Sequence, residues 1–272
     1  MRDWARETQS RVDFIKQVIK EAGASEIVFG NSGGKDCALV GILCRMACEN
    51  VIGVIMPCGS KRNYGSDKDD AIALASKFGI KTLVVDLTPA RDALLKGIEE
   101  SSWLTPDETM PDETKPDETK PGNIGSVKIS PLALSNINPR LRMTALYTLA
   151  QSRGALVAGT GNRSETYMGY FTKWGDGAYD FNPISDLTVR EVYAYLRYLG
   201  APDSIIMKAP SAGLFEGQTD ESDMGVTYEA IDSFLLDGVC SQEDLAIIER
   251  YHSRSAHKRK LARLYDPGVW EA

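Results

Sequence analysis

The sequence lacks any apolar run near the roughly 18 residues that a membrane-spanning helix needs, which excludes a helical membrane protein. Its opening, Met1-Arg2-Asp3-Trp4, mixes charges and has no apolar stretch of the secretory type, so no export signal is expected. Cysteine is sparse, with five in 272 residues, an odd number and no CxxC pair. That excludes a disulfide framework and argues against a thiolate zinc site; a reducing cytoplasm is the expected setting. Basic charge is not in excess either. A net charge of −7 argues against a general binder of nucleic acid or of membrane surfaces.

The rest of the composition is that of a globular chain, 43% hydrophobic and 25% charged. The length suits one α/β domain spanning 1–272. One stretch stands apart. Residues 105–121 carry the unit PDET three times at a five-residue step, with six acids against two lysines, and so hold more than half of the net charge. Prolines at 106, 111, 116 and 121 forbid a regular helix or a central strand. With little to bury, this segment is expected to be a mobile surface insertion.

Elsewhere, short apolar runs alternate with helical patterns. Asp3 to Ala22 has apolar residues at helical spacing and ends at Gly23. Strands are expected at Glu26–Gly30, Val51–Met56, Ile80–Asp86 and Ala155–Gly159. The intervening helices are expected at Cys37–Glu49, Ser66–Phe78, Pro89–Glu100 and Pro131–Arg153, with Pro139 at a break or first turn. This alternation predicts a parallel sheet with helices on both faces. The last third reads as helical, with segments at Thr188–Leu199, Thr227–Leu236, Ser241–Tyr251 and Ser253–Leu264.

The strongest local signal is Gly30-Asn31-Ser32-Gly33-Gly34-Lys35-Asp36-Cys37, after a strand and opening a helix. Adjacent glycines let backbone N–H groups turn toward an anion, and the helix N-terminus adds a favourable dipole. Ser32 adds a hydroxyl. Asp36 would repel a bare phosphate, and an intervening Mg²⁺ resolves the conflict, since hard oxygen ligands suit it. This is neither the Walker spacing nor the three-glycine dinucleotide fingerprint. A second block, Gly159-Thr160-Gly161-Asn162-Arg163-Ser164-Glu165, also follows a strand and brings Glu165 toward Asp36. A third, GYFTKWGDGAYD at 169–180, sets one lysine and several aromatics among glycines and acids, a surface suited to a flat ring beside phosphate and ribose.

The phosphate block resembles the pyrophosphate loop of the ATP pyrophosphatase superfamily. The blocks GNSGGKDC, NPRLRM, GTGNRSE, GYFTKWGDGAYDFNPISDLT, KAPSAGL to ESDMGVTYEAID, and HKR together resemble the ammonia-dependent NAD synthetases, in order, from Glu26 to Arg259. The resemblance implies an adenine nucleotide alpha hydrolase-like fold and a helical C-terminal part. It also implies ATP-dependent amidation of deamido-NAD by ammonia through an adenylated intermediate, a C–N ligase reaction. No amidohydrolase domain accompanies the blocks, so free ammonia or a supplying partner is implied.

By the same resemblance, Gly30, Asn31, Ser32, Gly33, Gly34, Lys35, Asp36 and Cys37 would hold the ATP phosphates, with Thr160 and Ser211 also on ATP. Asp36 and Glu165 would bind Mg²⁺. Arg140, Lys173, Asp180, His257 and Lys258 would bind deamido-NAD, and Asp36, Glu165 and Lys173 would carry the chemistry. Glu165 and Asp176 are candidate general bases. A homodimer is implied, with the helix Asp3–Ala22 or the helix from Asn136 as alternative interfaces. Three positions depart from the family pattern: Cys37 replaces a serine, Val189 a lysine and Ser211 a threonine. The competing readings are another adenylating or thiolating enzyme of the superfamily and a non-catalytic nucleotide-binding regulator.

Overall fold

The computed structural model describes residues 2–59, 65–101, 127–208 and 219–262. The PDET segment and Ser211 lie outside the described residues. Four short strands, β1 (Glu26–Gly30), β2 (Val51–Ile55), β3 (Lys81–Val84) and β4 (Ala155–Ala158), form a parallel sheet in the order β3-β2-β1-β4. Val28 lies opposite Ile52 on one side and Val157 on the other. The strands are those read from the sequence: β1 has the expected bounds, and the other three are shorter by one to three residues.

Side chains leave the strands with period two. Ile27 and Phe29 join one core with Ile15 of α1 (Trp4–Ala22) and Leu39 and Ile42 of α2 (Lys35–Ala47). Val28, Val54 and Val157 join a second core, on which Leu141 and Leu146 of α5 (Pro131–Arg153) pack. Between these come α3 (Ser66–Phe78) and α4 (Thr88–Glu99). After β4 follow α6 (Arg163–Met168), α7 (Val189–Tyr198), α8 (Asp203–Ile206), α9 (Asp220–Met224), α10 (Tyr228–Asp237) and α11 (Gln242–Arg254), then a 3-10 turn at Ala256–Arg259. No helix among the described residues is long and apolar enough to cross a membrane.

Helix boundaries have readable causes. Asp3 accepts from the N–H groups of Ala5 and Arg6, and Gly23, at φ +63°, ends α1. Two expectations need correction. Pro139 sits inside α5, which runs through it without a break. A proline costs one intrahelical bond locally, and here its ring packs beneath the loop at Gly175, where an added Cβ would lie 2.9 Å from Pro139 Cβ. Of the two C-terminal helices expected at Ser241–Tyr251 and Ser253–Leu264, the first is α11, which runs on to Arg254, and among the described residues the second is a single 3-10 turn.

A charged cluster ties α1 to the loop before α7. Arg11 is almost buried and donates to both carboxylate oxygens of Asp186, at 2.6 and 2.8 Å, while Arg2 reaches Asp186 and Glu191. Burial alone would raise the Asp186 carboxyl, but Arg11 and Arg2 outweigh it and hold it below the usual range. Its contribution is therefore complete above the unfolded value of 3.8 and is lost as pH falls through the lower folded value. Asp186→Asn is expected to cost about 2 kcal/mol, less than for a fully buried pair because Asp186 is half exposed. Urea denaturation at pH 7 and pH 3 checks this: the loss should shrink at the acid end.

Candidate active site

Sheet order places the site. β1 leads to β2 and β3 on one side, while β4 lies on the other, so connections leave the carboxyl ends of β1 and β4 in opposite directions. The crevice at such a switch point is where open α/β sheets bind ligands. Here it opens into a cavity of about 980 Å³.

The loop after β1 forms one wall. Gly33 adopts φ +72°, the left-handed region, and an added Cβ would overlap the Asp67 backbone carbonyl oxygen at the start of α3. Gly34, at φ −89°, is the N-cap of α2. The Ser32 hydroxyl lies 3.1 Å from Cys37 Sγ, and the thiol donates to Gly34 O at 3.2 Å. Burial pushes the Cys37 thiol up, so it stays a protonated donor bracing the loop. The side chain of Asn31, also buried, donates to Ala71 O.

The loop after β4 supplies the facing wall. Asn162 caps α6 and forms a capping box with Glu165: its Oδ1 accepts from Glu165 N–H at 3.0 Å, and Glu165 Oε2 accepts from Asn162 N–H at 3.2 Å. The remaining Asn162 amide donates to Asp36 Oδ1 at 3.0 Å. One fully buried residue thus joins the two carboxylates across the β1–β4 boundary, through its side-chain amide to Asp36 and its backbone N–H to Glu165. Lys35 Nζ lies 2.8 Å from Asp36 Oδ2 and 3.9 Å from Glu165 Oε1. Burial would lower this ammonium, but the two carboxylates outweigh it and hold it raised. Burial and then Asp36 push Glu165 upward. A hard, two-carboxylate donor set already surrounding a positive charge fits a divalent cation well.

Most residues expected on ATP meet here. Gly30, Asn31, Ser32, Gly34, Lys35, Asp36, Cys37, Thr160 and Glu165 line the cavity, whereas Gly33 shapes it from behind. The residues expected on deamido-NAD divide. Lys258 lines the cavity and donates to Gly169 O and Phe171 O at 2.8 Å. Arg140, Lys173, Asp180 and His257 lie outside its lining. Arg140 donates to Lys173 O, and Lys173 donates to the carbonyls of His257 and Lys260 at 2.7 Å. Asp180 accepts from Val157 N–H and the Tyr147 hydroxyl. Trp174, beside Lys173, holds φ +63°, a sparsely populated conformation for a bulky residue.

Some lining groups escaped the sequence reading. Lys208 pairs with Asp67 and Asp70 at 2.7 Å each. Asp220 accepts from the Tyr228 hydroxyl at 3.1 Å, and the Tyr228 ring lies 5.6 Å beneath Lys35 Nζ. Asn162, which lies behind the lining, did carry a readable signal, the Asn-x-x-Glu spacing of a capping box. Val189 is buried in a core with Met168, Tyr228 and Ile231, and Arg190 turns away to Ser233, so neither supplies a cation to the cavity.

Fold and cleft together define an α/β protein of the adenine nucleotide alpha hydrolase-like class, with a glycine-rich loop at the head of α2 and two carboxylates beside it. The chain belongs to the NAD synthase family, whose profile matches residues 7–262. It is 43% identical over 260 residues to the NH3-dependent NAD+ synthetase of Carboxydothermus hydrogenoformans, covering 95% of this chain and 96% of that one. Among solved structures, it overlays an NMN synthetase from Francisella tularensis with a TM-score of 0.82 and 33% identity, covering 98% and 100% of the two chains. An NH3-dependent NAD synthetase from Campylobacter jejuni overlays with a TM-score of 0.72 and 28% identity, again over 98% and 100%.

Proposed function

We infer that this chain is an NH3-dependent NAD+ synthetase, a C–N ligase that uses ATP to amidate deamido-NAD with ammonia, giving NAD, AMP and pyrophosphate. The observation that carries this is the family match over residues 7–262.

A carboxylate is a poor electrophile, and transfer of AMP converts its oxygen into a good leaving group. The nicotinate carboxylate attacks the α-phosphorus, and ammonia then attacks the activated carbonyl carbon. We assign the pyrophosphate to the loop from Ser32 to Asp36, where backbone N–H groups and the α2 dipole meet its charge without reorganising. Asp36 and Glu165 would hold Mg²⁺, which when bound neutralises charge on the triphosphate. Lys258 and the glycine-rich wall from Gly169 would orient the acceptor and exclude water. Asp176 lines the cavity and accepts from Thr172 N–H at 2.9 Å, a placement that suits a group taking a proton from ammonium.

The quaternary reading is a homodimer through α5 rather than α1. Along its 23 residues α5 buries only Ala150, α4 buries none, and β3 is exposed throughout. The α1 face is already spent on α2 through Val12 and Ile15. Arg140, on α5, and Lys173, which it contacts, would meet deamido-NAD at that surface. All five cysteines are unpaired thiols, which suits a cytoplasmic protein.

The likeness to an NMN synthetase supports a second reading, in which nicotinate mononucleotide is the acceptor. Both acceptors present the same carboxylate and ribose phosphate, and the dinucleotide adds an adenylate. Product analysis separates them: ATP, Mg²⁺ and ammonium with either acceptor, and glutamine in place of ammonium in a parallel tube. The expected result is NAD and AMP in equal amounts from deamido-NAD and ammonium, with little product from glutamine. Amide formed only from the mononucleotide would overturn the first reading, and ATP bound without AMP would indicate a regulator.

A further inference from the structure

Lys35 is an unusual neighbour for two metal-binding carboxylates. Its side chain is 7% exposed, and its ammonium lies between Asp36 and Glu165 over the Tyr228 ring. Each carboxylate has a second anchor in Asn162, through the side-chain amide to Asp36 and the backbone N–H to Glu165. The pair is thus aimed at one point, and a cation of this chain sits there.

We propose that Lys35 is a built-in counter-ion that holds the divalent cation's place between Asp36 and Glu165, so that metal and ammonium exclude each other at that point. The inference rests on the metal assignment given above. Two carboxylates left together in a buried crevice repel each other and would drive the loops after β1 and β4 apart. The ammonium removes that penalty while the crevice is empty of metal. A divalent cation entering between the same oxygens would face a like charge at close range, so the lysine must leave. Lys35 lines the same cavity as the phosphate loop, and its flexible stem keeps the displaced ammonium near an anion bound there. Metal would therefore load weakly on the bare protein and well once a triphosphate can receive the lysine.

Mn²⁺ binding to the nucleotide-free protein, followed by the paramagnetic signal of free Mn²⁺, tests this. Lys35→Gln is expected to bind Mn²⁺ at least about tenfold more tightly than wild type, within the usual range for coupling between competing ligands. Mn²⁺ should also raise its melting midpoint more than that of wild type. Equal or weaker binding by Lys35→Gln, with binding lost in Asp36→Asn, would overturn the counter-ion and leave the metal assignment standing. Undiminished Mn²⁺ binding in the Lys35→Gln, Asp36→Asn double variant would instead remove the metal assignment. Wild type alone gives a readout that does not depend on any variant folding. Acylation of Lys35, followed by peptide mass spectrometry, should speed up when Mn²⁺ is added; an unchanged rate would overturn the proposal.

Discussion

Asp36→Asn is expected to slow pyrophosphate release from ATP and deamido-NAD by at least about a hundredfold, the lower scale for losing a group that stabilises developing charge. The change is isosteric, and its oxygen still accepts from Asn162. The other position, 2.8 Å from Lys35 Nζ, becomes an N–H donor facing an ammonium. Both the negative charge and the lysine's strongest partner vanish, so the loop loses its proposed metal ligand and its internal ion pair together. Release measured without ammonia isolates the adenylation half of the reaction. Near-normal release by a folded variant would remove Asp36 from the metal site.

Gly33→Ala is expected to match that loss by a different route. At φ +72° an alanine is strained by roughly 1–2 kcal/mol. Its methyl group would also overlap the Asp67 carbonyl oxygen, which belongs to backbone and has no rotamer to escape into. The loop or the start of α3 must shift, carrying the N–H donors off the proposed pyrophosphate position. A displacement of about 1 Å in such a site costs about a hundredfold. Gly34→Ala is the control. That residue has an ordinary φ, and its added Cβ would lie 3.3 Å from a movable Ser32 hydroxyl. It should stay within roughly fivefold of wild type, equivalent to about 1 kcal/mol. Equal losses in the two variants, read from ATP-dependent pyrophosphate release, would show that space alone does not decide at this turn.

These two glycines show where sequence reading stops. Adjacent glycines announce an anion-binding turn, but only the position of Asp67 says which of them is indispensable. Strands and caps were legible because their causes are local: Asp3 and Gly23 bound α1, and Ser66–Phe78 was read without error. Pro139 misled because a local helix penalty is outweighed by packing under Gly175. Asp36 and Glu165 were expected near each other because each block follows a strand. Their meeting point depends on β1 and β4 being neighbours, which no local pattern encodes. The pairing of Lys35 with Asp36 was hidden for another reason: adjacent residues on a helix face apart. Only at the first turn, with Glu165 drawing the ammonium inward, does it turn back onto Asp36. The outward positions of Arg140 and Lys173 depend on how α5 meets the loop at 169–180, again a tertiary matter.

The bond from Asn162 to Asp36 spans 126 residues of chain. Its formation therefore belongs to the end of folding. Parallel pairing of strands far apart in sequence is slow, because loop closure must precede the contacts that reward it. During synthesis at about 5–20 residues per second, the phosphate loop leaves the ribosome many seconds before Glu165 exists. A nascent chain carries half a nucleotide site with no opposing wall. Nucleotide recognition is thereby deferred until the chain is nearly whole, and ligand-dependent protection of β1 and β4 against hydrogen exchange should arise in one step.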